Sequence, residues 1–232
     1  MNLERYLRGV RAKFNNVVLG TPRPDQAAPV AVDAAVYRDL FAWCHAGAGP
    51  GGAPSPGERP QVQSRMAVAS LVGADHAWVT AFANRLACDI DGSLRLQALT
   101  GTLPRLAWRA QVKFHDACWW RQRLPSDPWD AGWASTSPPG LRQWLKGFHP
   151  RRATLVLADA ADAPALTVPL AMLLQFSDVL PHPVRWLWVG ADLPNLPNLP
   201  DRLDSAACAV RPRFSLAGGD ETQSMVSPMA RN

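Results

Sequence analysis

Two short apolar runs constrain this chain more than any other feature. Thr154-Leu-Val-Leu-Ala-Asp159 follows Arg151 and Arg152 and ends in a carboxylate; Val184-Arg-Trp-Leu-Trp-Val189 is stopped by Gly190. The first run is bounded by Pro150 and by the Ala/Asp/Pro-rich stretch after Asp159. Unbroken runs of this length predict strands buried on both faces of a parallel sheet. Parallel neighbours need a long crossover, and the helix-length segment from Pro169 to Leu180 supplies one, so the three together predict a βαβ unit.

With 232 residues, 47% of them hydrophobic, the chain can bury one sizeable core or two small ones. Its 22 prolines and 16 glycines imply long irregular connections. The formal charge of +5 rests almost wholly on arginine, because Lys13, Lys113 and Lys146 are the only lysines. Such a balance permits nucleic acid, anionic lipid or an acidic partner, but basic residues scattered along a chain read first as a solvated surface. Cys44, Cys88, Cys118 and Cys208 lie far apart without a Cys-x-x-Cys pair, which argues against zinc-ribbon and thioredoxin-like motifs. No signal-peptide-like stretch opens the sequence and no run approaches 18 apolar residues, so the expectation is a cytoplasmic protein with no transmembrane segment.

The organisation expected from the pattern is a helical arm over residues 1–45, a flexible linker over 46–61, an α/β body over 62–215 and a disordered tail over 216–232. In the arm, Leu3, Tyr6, Leu7, Val10, Phe14, Val17 and Val18 fall at helical spacing, and Val32, Val36, Leu40, Trp43 and Cys44 do the same in a second helix. The linker is rich in glycine and proline but lacks the flanking strand, helix and lysine of a phosphate loop. In the body, Val62–Val72 predicts a strand, Gly73 a turn and Ala77–Cys88 a helix. Leu94–Leu99 alternates as a strand would, Pro104–Arg123 predicts a long helix, Asp127–Trp133 a turn-rich aromatic segment and Leu141–Phe148 a short helix. Asp192–Pro200, with proline at every third position, predicts an extended path, and Ser205–Arg211 a last strand.

Read in order, the body gives strand, glycine turn and helix, then a strand ending in aspartate, a helix and a strand. The first turn and the aspartate would meet at the carboxyl edge of a parallel sheet, where ligands bind in such folds. Over about residues 62–192 this resembles the P-loop NTPase domains of the AAA and STAND kind. In those domains a strand leads into Gly-x-x-x-x-Gly-Lys-Ser/Thr, and a later apolar strand ends in the metal-supporting aspartate. The segment Asp127-Pro-Trp-Asp130 shares in the likeness, with no role attached. The resemblance implies an α/β fold of the P-loop/RecA-like three-layer type, with a mainly parallel sheet, helices on both faces and a vestigial nucleotide site at Gly73, Thr80 and Asp159.

The first motif departs from the family pattern. Laid on Gly73-Ala-Asp-His-Ala-Trp-Val-Thr80, it keeps the opening glycine and closing threonine, but Trp78 replaces the second glycine and Val79 the lysine. An indole would block the close approach of backbone to phosphate, valine carries no charge to meet it, and Asp75 would repel it. Phosphoryl transfer rests on positioning and charge neutralisation, so these losses remove its main supports.

The expectation is therefore a non-catalytic, pseudo-P-loop protein that regulates or scaffolds another protein, with no catalytic residue, no metal ligand and no cofactor assigned. One alternative is a weakly active ATP/Mg-binding NTPase with an unconventional site, taking a basic residue from Arg151 or Arg152. A second is a nucleic-acid-binding accessory protein, for which Trp119, Trp120, Arg121 and Arg123 would offer stacking and charge. His115 and Cys118 could share a helix face as metal ligands, but no second pair accompanies them, and a packed core position is the preferred reading.

Overall fold

The computed structural model describes residues 18–22, 33–45, 65–117, 127–145, 148, 150, 152–192, 208–209 and 213–216. In chain order the elements are β1 (Leu19–Gly20), α1 (Ala34–His45), β2 (Met66–Val72), α2 (His76–Ile90), α3 (Ser93–Ala98), α4 (Thr102–Ala117), β3 (Asp130–Ala134), α5 (Pro138–Leu145), β4 (Thr154–Asp159), α6 (Ala163–Gln175), β5 (Val184–Val189), β6 (Cys208–Ala209) and β7 (Arg213–Ser215). Single 3-10 turns, Ala160–Asp162 and Ser177–Val179, flank α6.

All the strands join one sheet in the order β1-β3-β4-β5-β2-β6, with β7 also on the outer side of β2. Only the β1–β3 pair is antiparallel; every other pairing is parallel. The fold is α/β, with a mostly parallel sheet. Both apolar runs read from the sequence are inner strands, β4 and β5, and lie next to each other in register from Thr154↔Val184 to Asp159↔Val189. Every residue of β5 is buried, as is every residue of β2.

Helices cover both faces because each strand's alternate residues form two apolar surfaces. On one side Leu71, Leu155, Leu157, Leu187 and Val189 meet Val79, Phe82 and Leu86 of α2 and Leu40 and Cys44 of α1. On the other, Met66, Val68, Val156, Trp186 and Trp188 meet Trp144 of α5 and Leu166, Leu170 and Leu173 of α6. The Trp186 and Trp188 rings stack at 6.3 Å, and Trp144 lies 5.7 Å from Trp186. Each such indole takes on the order of 200 Å² out of water, roughly 5 kcal/mol of gross transfer free energy. The side chains of Cys44 and Cys88 are buried, and burial pushes the Cys44 pKa up to about 12.

Several elements differ from the sequence reading. Leu94–Leu99 is not a strand: Gly92 turns left-handed (φ 80°), Asp91 accepts from the Ser93 N–H, and the short helix α3 follows. The turn-rich stretch ending at Trp133 contains β3, paired to β4 from Asp130↔Thr154 to Trp133↔Leu157. Its pattern is hidden by Gly132, where a Cβ would lie 2.3 Å from the Gly20 carbonyl oxygen; only glycine lets β1 approach so closely. Helix α5 opens at Pro138 rather than Leu141, with the Ser137 Oγ accepting from Gly140 N. Helix α6 begins at Ala163, six residues before Pro169, which lies buried inside it. The Pro169 ring has no N–H to give, a cost met by packing on the tryptophan-rich face.

The described parts of segment 1–45 pack on the body. Val18 and Leu19 are buried in the second cluster, Leu19–Gly20 adds a strand to β3, and α1 lies on the first cluster. Tyr37 of α1 stacks edge-on against Phe82 and donates its hydroxyl to Asp89 of α2, a contact that with burial drives the phenol pKa far upward. The last-strand region gives β6 within Ser205–Arg211 and a further strand, β7, beyond it. Leu216, set at the head of the expected tail, is instead buried and donates its N–H to the Val72 carbonyl; the linker, the tail beyond Leu216, the proline-repeat segment after Asp192, most of the first helix, Cys118, Trp119, Trp120, Arg121, Arg123 and Arg151 lie outside the described residues, as does the His115 side chain.

Candidate functional site

Three parallel strands, β2, β5 and β4, deliver their carboxyl ends side by side. Val189 pairs with Leu71 on one flank and with Asp159 on the other. The glycine turn and the aspartate therefore stand about two strand spacings apart, roughly 10 Å, on one edge. Gly73 and Asp159 are together where the sequence placed them.

The turn between β2 and α2 is only Gly73-Ala74-Asp75, because α2 starts at His76. A Cβ on Gly73 would come 2.8 Å from Val79 Cγ2 and 3.3 Å from Leu216 Cβ, so glycine is what lets the turn fold down onto the helix. Asp75 caps the helix: its carboxylate accepts from Ala77 N at 2.8 Å, and its carbonyl accepts from Val79 N at 3.0 Å. The amino end of a helix attracts anions through unpaired N–H groups and the positive end of the dipole. Here the chain's own carboxylate takes that place.

His76, the first helical residue, reaches across to the aspartate strand. Its Nε2 lies 3.4 Å from Asp159 Oδ2, with the imidazole about half exposed and the carboxylate mostly covered. The other carboxylate oxygen accepts from Ala161 N at 2.8 Å, capping the 3-10 turn after β4. Between them sits Gly190 at φ 96°, and a Cβ there would lie 2.5 Å from His76 Nδ1. Gly190 is thus needed twice, for its left-handed backbone and for the room the imidazole takes. Nearby on the same edge, Arg213 of β7 pairs with Asp192 at 3.1 Å, both well exposed.

The remaining motif residues have other employment. Val79 is wholly buried in the first cluster, and the Trp78 indole packs on that cluster too. Thr80 lies in the second turn of α2 with its hydroxyl buried. Gly73 and Asp159 are brought to one edge of the sheet. Arg152, proposed as a substitute cation, sits at the amino end of β4 and pairs with Asp130 at 3.1 Å while donating to the Pro128 carbonyl. Six strand residues separate it from the other edge, roughly 20 Å.

Beside that buried pair lies Asp91, which follows α2 and accepts from both the backbone and the hydroxyl of Ser93. Burial pushes its carboxyl up to about 6 against those hydrogen bonds. Sequence reasoning did not find this cluster; an arginine just before a buried strand was its one visible sign. It also noted His76 in the loop without linking it to Asp159. The glycine closing β5 was the available hint.

The residues at the carboxyl edge do not fit a nucleotide with its magnesium ion. The helix end is capped by a carboxylate, no lysine is among the residues described at this edge, and both oxygens of Asp159 are engaged. Among the described residues no group of three or more His, Cys, Asp or Glu side chains is placed to hold a metal ion, and no helix is long and apolar enough to cross a membrane. Compared with protein-family models, with curated proteins and with solved structures, the chain matches none.

Proposed function

We propose that this is a P-loop-like domain that has given up nucleotide and acts by binding another protein. The reading rests first on one observation: His76, at the start of a prematurely begun α2, occupies the carboxylate that would otherwise hold magnesium. The strand order supports it as well. The strand of the glycine turn and the strand of the aspartate flank a third, β5, and all three run parallel, so both turns open on one carboxyl edge, as the resemblance to the AAA and STAND kind implies.

Among the described residues of this edge, no lysine and no uncapped helix end faces the place a phosphate would take. A phosphate approaching α2 would meet the Asp75 carboxylate where it needs free N–H donors. Asp159, paired to an imidazole and capping a turn, behaves as a structural bracket between β4 and α2. What is left is a rigid scaffold whose surfaces, not its former cleft, carry the activity. The vestigial-site residues Gly73, Thr80 and Asp159 then serve the fold.

The test is calorimetric titration of the full chain with Mg-ATP, alongside a phosphate-release assay. No saturable heat and no turnover are expected, and His76→Ala alone does not restore either, because the lysine is still missing. Sub-micromolar, magnesium-dependent binding that disappears in Asp159→Asn would defeat the reading.

A further inference from the structure

Residues 91–128 leave the body and return to it at one place. The Ile90 carbonyl accepts from Trp129 N at 3.0 Å, so the last residue of α2 and the residue before β3 are tied together across the root of the excursion. Its described part is α3, with no buried residue, and α4, whose described side chains are exposed except for the half-buried Trp108 and Val112. Among the described residues, no side chain of either helix joins the two apolar clusters that hold the sheet. Trp108 is held from within the excursion. The Arg95 guanidinium lies 4.2 Å from its ring centre, and a Cβ on Gly92 would stand 3.2 Å from the indole and 3.7 Å from Pro128. Gly92 (φ 80°) and Gly101 (φ 90°) make left-handed turns on either side of α3, and hinges absorb their change at a few such positions.

The root carries two buried acids served by one guanidinium. Asp91 feels Asp130 at the head of β3 and Arg152 before β4, and Arg152 also donates to the Pro128 carbonyl on the returning chain. The charged groups of the other elements around the root have partners of their own. Arg85 and Asp89 of α2 pair with each other and Asp89 with Tyr37; Arg95 of α3 covers Trp108; His45 of α1 lies against Trp129; Arg185 of β5 acts on Cys44 of α1.

We propose that α3 and α4 form a hinged flap with a proton-sensitive latch at its root, closed when Asp91 is protonated and loosened when Asp91 is ionised. The device stands whether or not the domain binds nucleotide. Two effects of the charge oppose each other. Ionised Asp91 is the better cap for α3, accepting from Ser93 N at 2.7 Å and Ser93 Oγ at 2.8 Å. It is also buried beside a like charge. Burial wins, because the carboxyl is pushed up to about 6 in spite of those bonds. Swinging the flap out lets water reach Asp91 and returns it toward 3.8, so ionisation favours the open form across that window.

Amide hydrogen exchange of the full chain from pH 4 to 7, resolved by residue and corrected for the intrinsic rate, tests this. The Trp129 amide reports the root, because swinging the flap breaks its bond to Ile90. Its opening constant should rise with pH by roughly tenfold or more, under a ceiling of about fifty-fold set by a carboxyl at about 6 when closed and 3.8 when open. Low urea should hardly change that opening, whereas Leu157 in β4 should exchange only through urea-sensitive global unfolding. In Asp91→Asn the pH dependence should vanish; where that variant does not fold, the profile of the parent decides alone. Trp129 protection that is flat or rises with pH would overturn the proposal, as would a pH dependence that survives in Asp91→Asn. Exchange of Trp129 only in step with Leu157 across urea would overturn it too. So would a gain in protection confined to the Ser93 amide as pH rises, which would leave Asp91 a helix cap and nothing more.

Discussion

Asp91 gives the sharpest test of how the amino edge of the sheet is held. Its carboxyl is largely buried beside the Asp130–Arg152 pair and titrates at about 6 instead of the ordinary 3.8. Burial is the main cause, and the like charge of Asp130 adds to it. The folded protein therefore keeps a proton that the unfolded chain gives up between those two values. In that window the unfolded state binds fewer protons, so stability falls as pH rises. The contribution is fully present below the unfolded pKa and is lost as pH rises through the folded one. Each pH unit of displacement is worth about 1.4 kcal/mol, so the penalty at neutral pH is on the order of 2 to 3 kcal/mol.

Asp91→Asn removes the charge but keeps an amide oxygen to accept from Ser93 N. The variant should unfold at higher urea than the parent near neutral pH, by about 2 kcal/mol, and match it near pH 4. Tryptophan fluorescence during urea unfolding, repeated across that range, measures both chains. If the difference between parent and variant stays constant from acid to neutral pH, or grows toward acid, the assignment of Asp91 as a buried, penalised carboxylate is wrong.

Other expectations concern packing and turns. Gly132→Ala should cost about 2 kcal/mol or more and release β1 from β3, read as lost amide protection at Leu19 and Gly20, because the new methyl meets the Gly20 carbonyl. Gly190→Ala should destabilise by about 1 to 3 kcal/mol from left-handed strain and collision with the imidazole; His76→Ala in the same chain should recover part of that loss, and strict additivity in thermal melts would count against the contact. Tyr37→Phe should cost about 1 kcal/mol in chemical denaturation, since it leaves Asp89 with only its Arg85 neighbour at 3.3 Å. Trp186→Ala should cost about 3 to 5 kcal/mol by opening a void between the sheet and α5.

The central strands were legible because burial on both faces writes an unbroken apolar run, which few other structures require. The Asp159 end and the Gly73 turn were legible for a related reason: a chain leaving a buried strand must change character abruptly. Strand β3 was not, since its neighbours on the edge leave it with a glycine and an acid where a central strand would carry branched residues. Helix α3 misled because six residues cannot separate a period of two from one of 3.6. The His76–Asp159 contact joins residues 83 positions apart (159 minus 76), and no local pattern records such a pairing.

The position of β2 has a further consequence, for the chain while it is being made. Its seven residues, all apolar but Ser70, pair among the described residues with β5 on one side and with β6 and β7 on the other, all of which come from later in the sequence. Until residue 189 has emerged, Met66–Val72 has neither neighbour, and an uncharged seven-residue stretch left bare in this way is a template for other growing chains. That stretch stays without its partners for about half of translation, and shortening the polypeptide before Val184 should promote its aggregation.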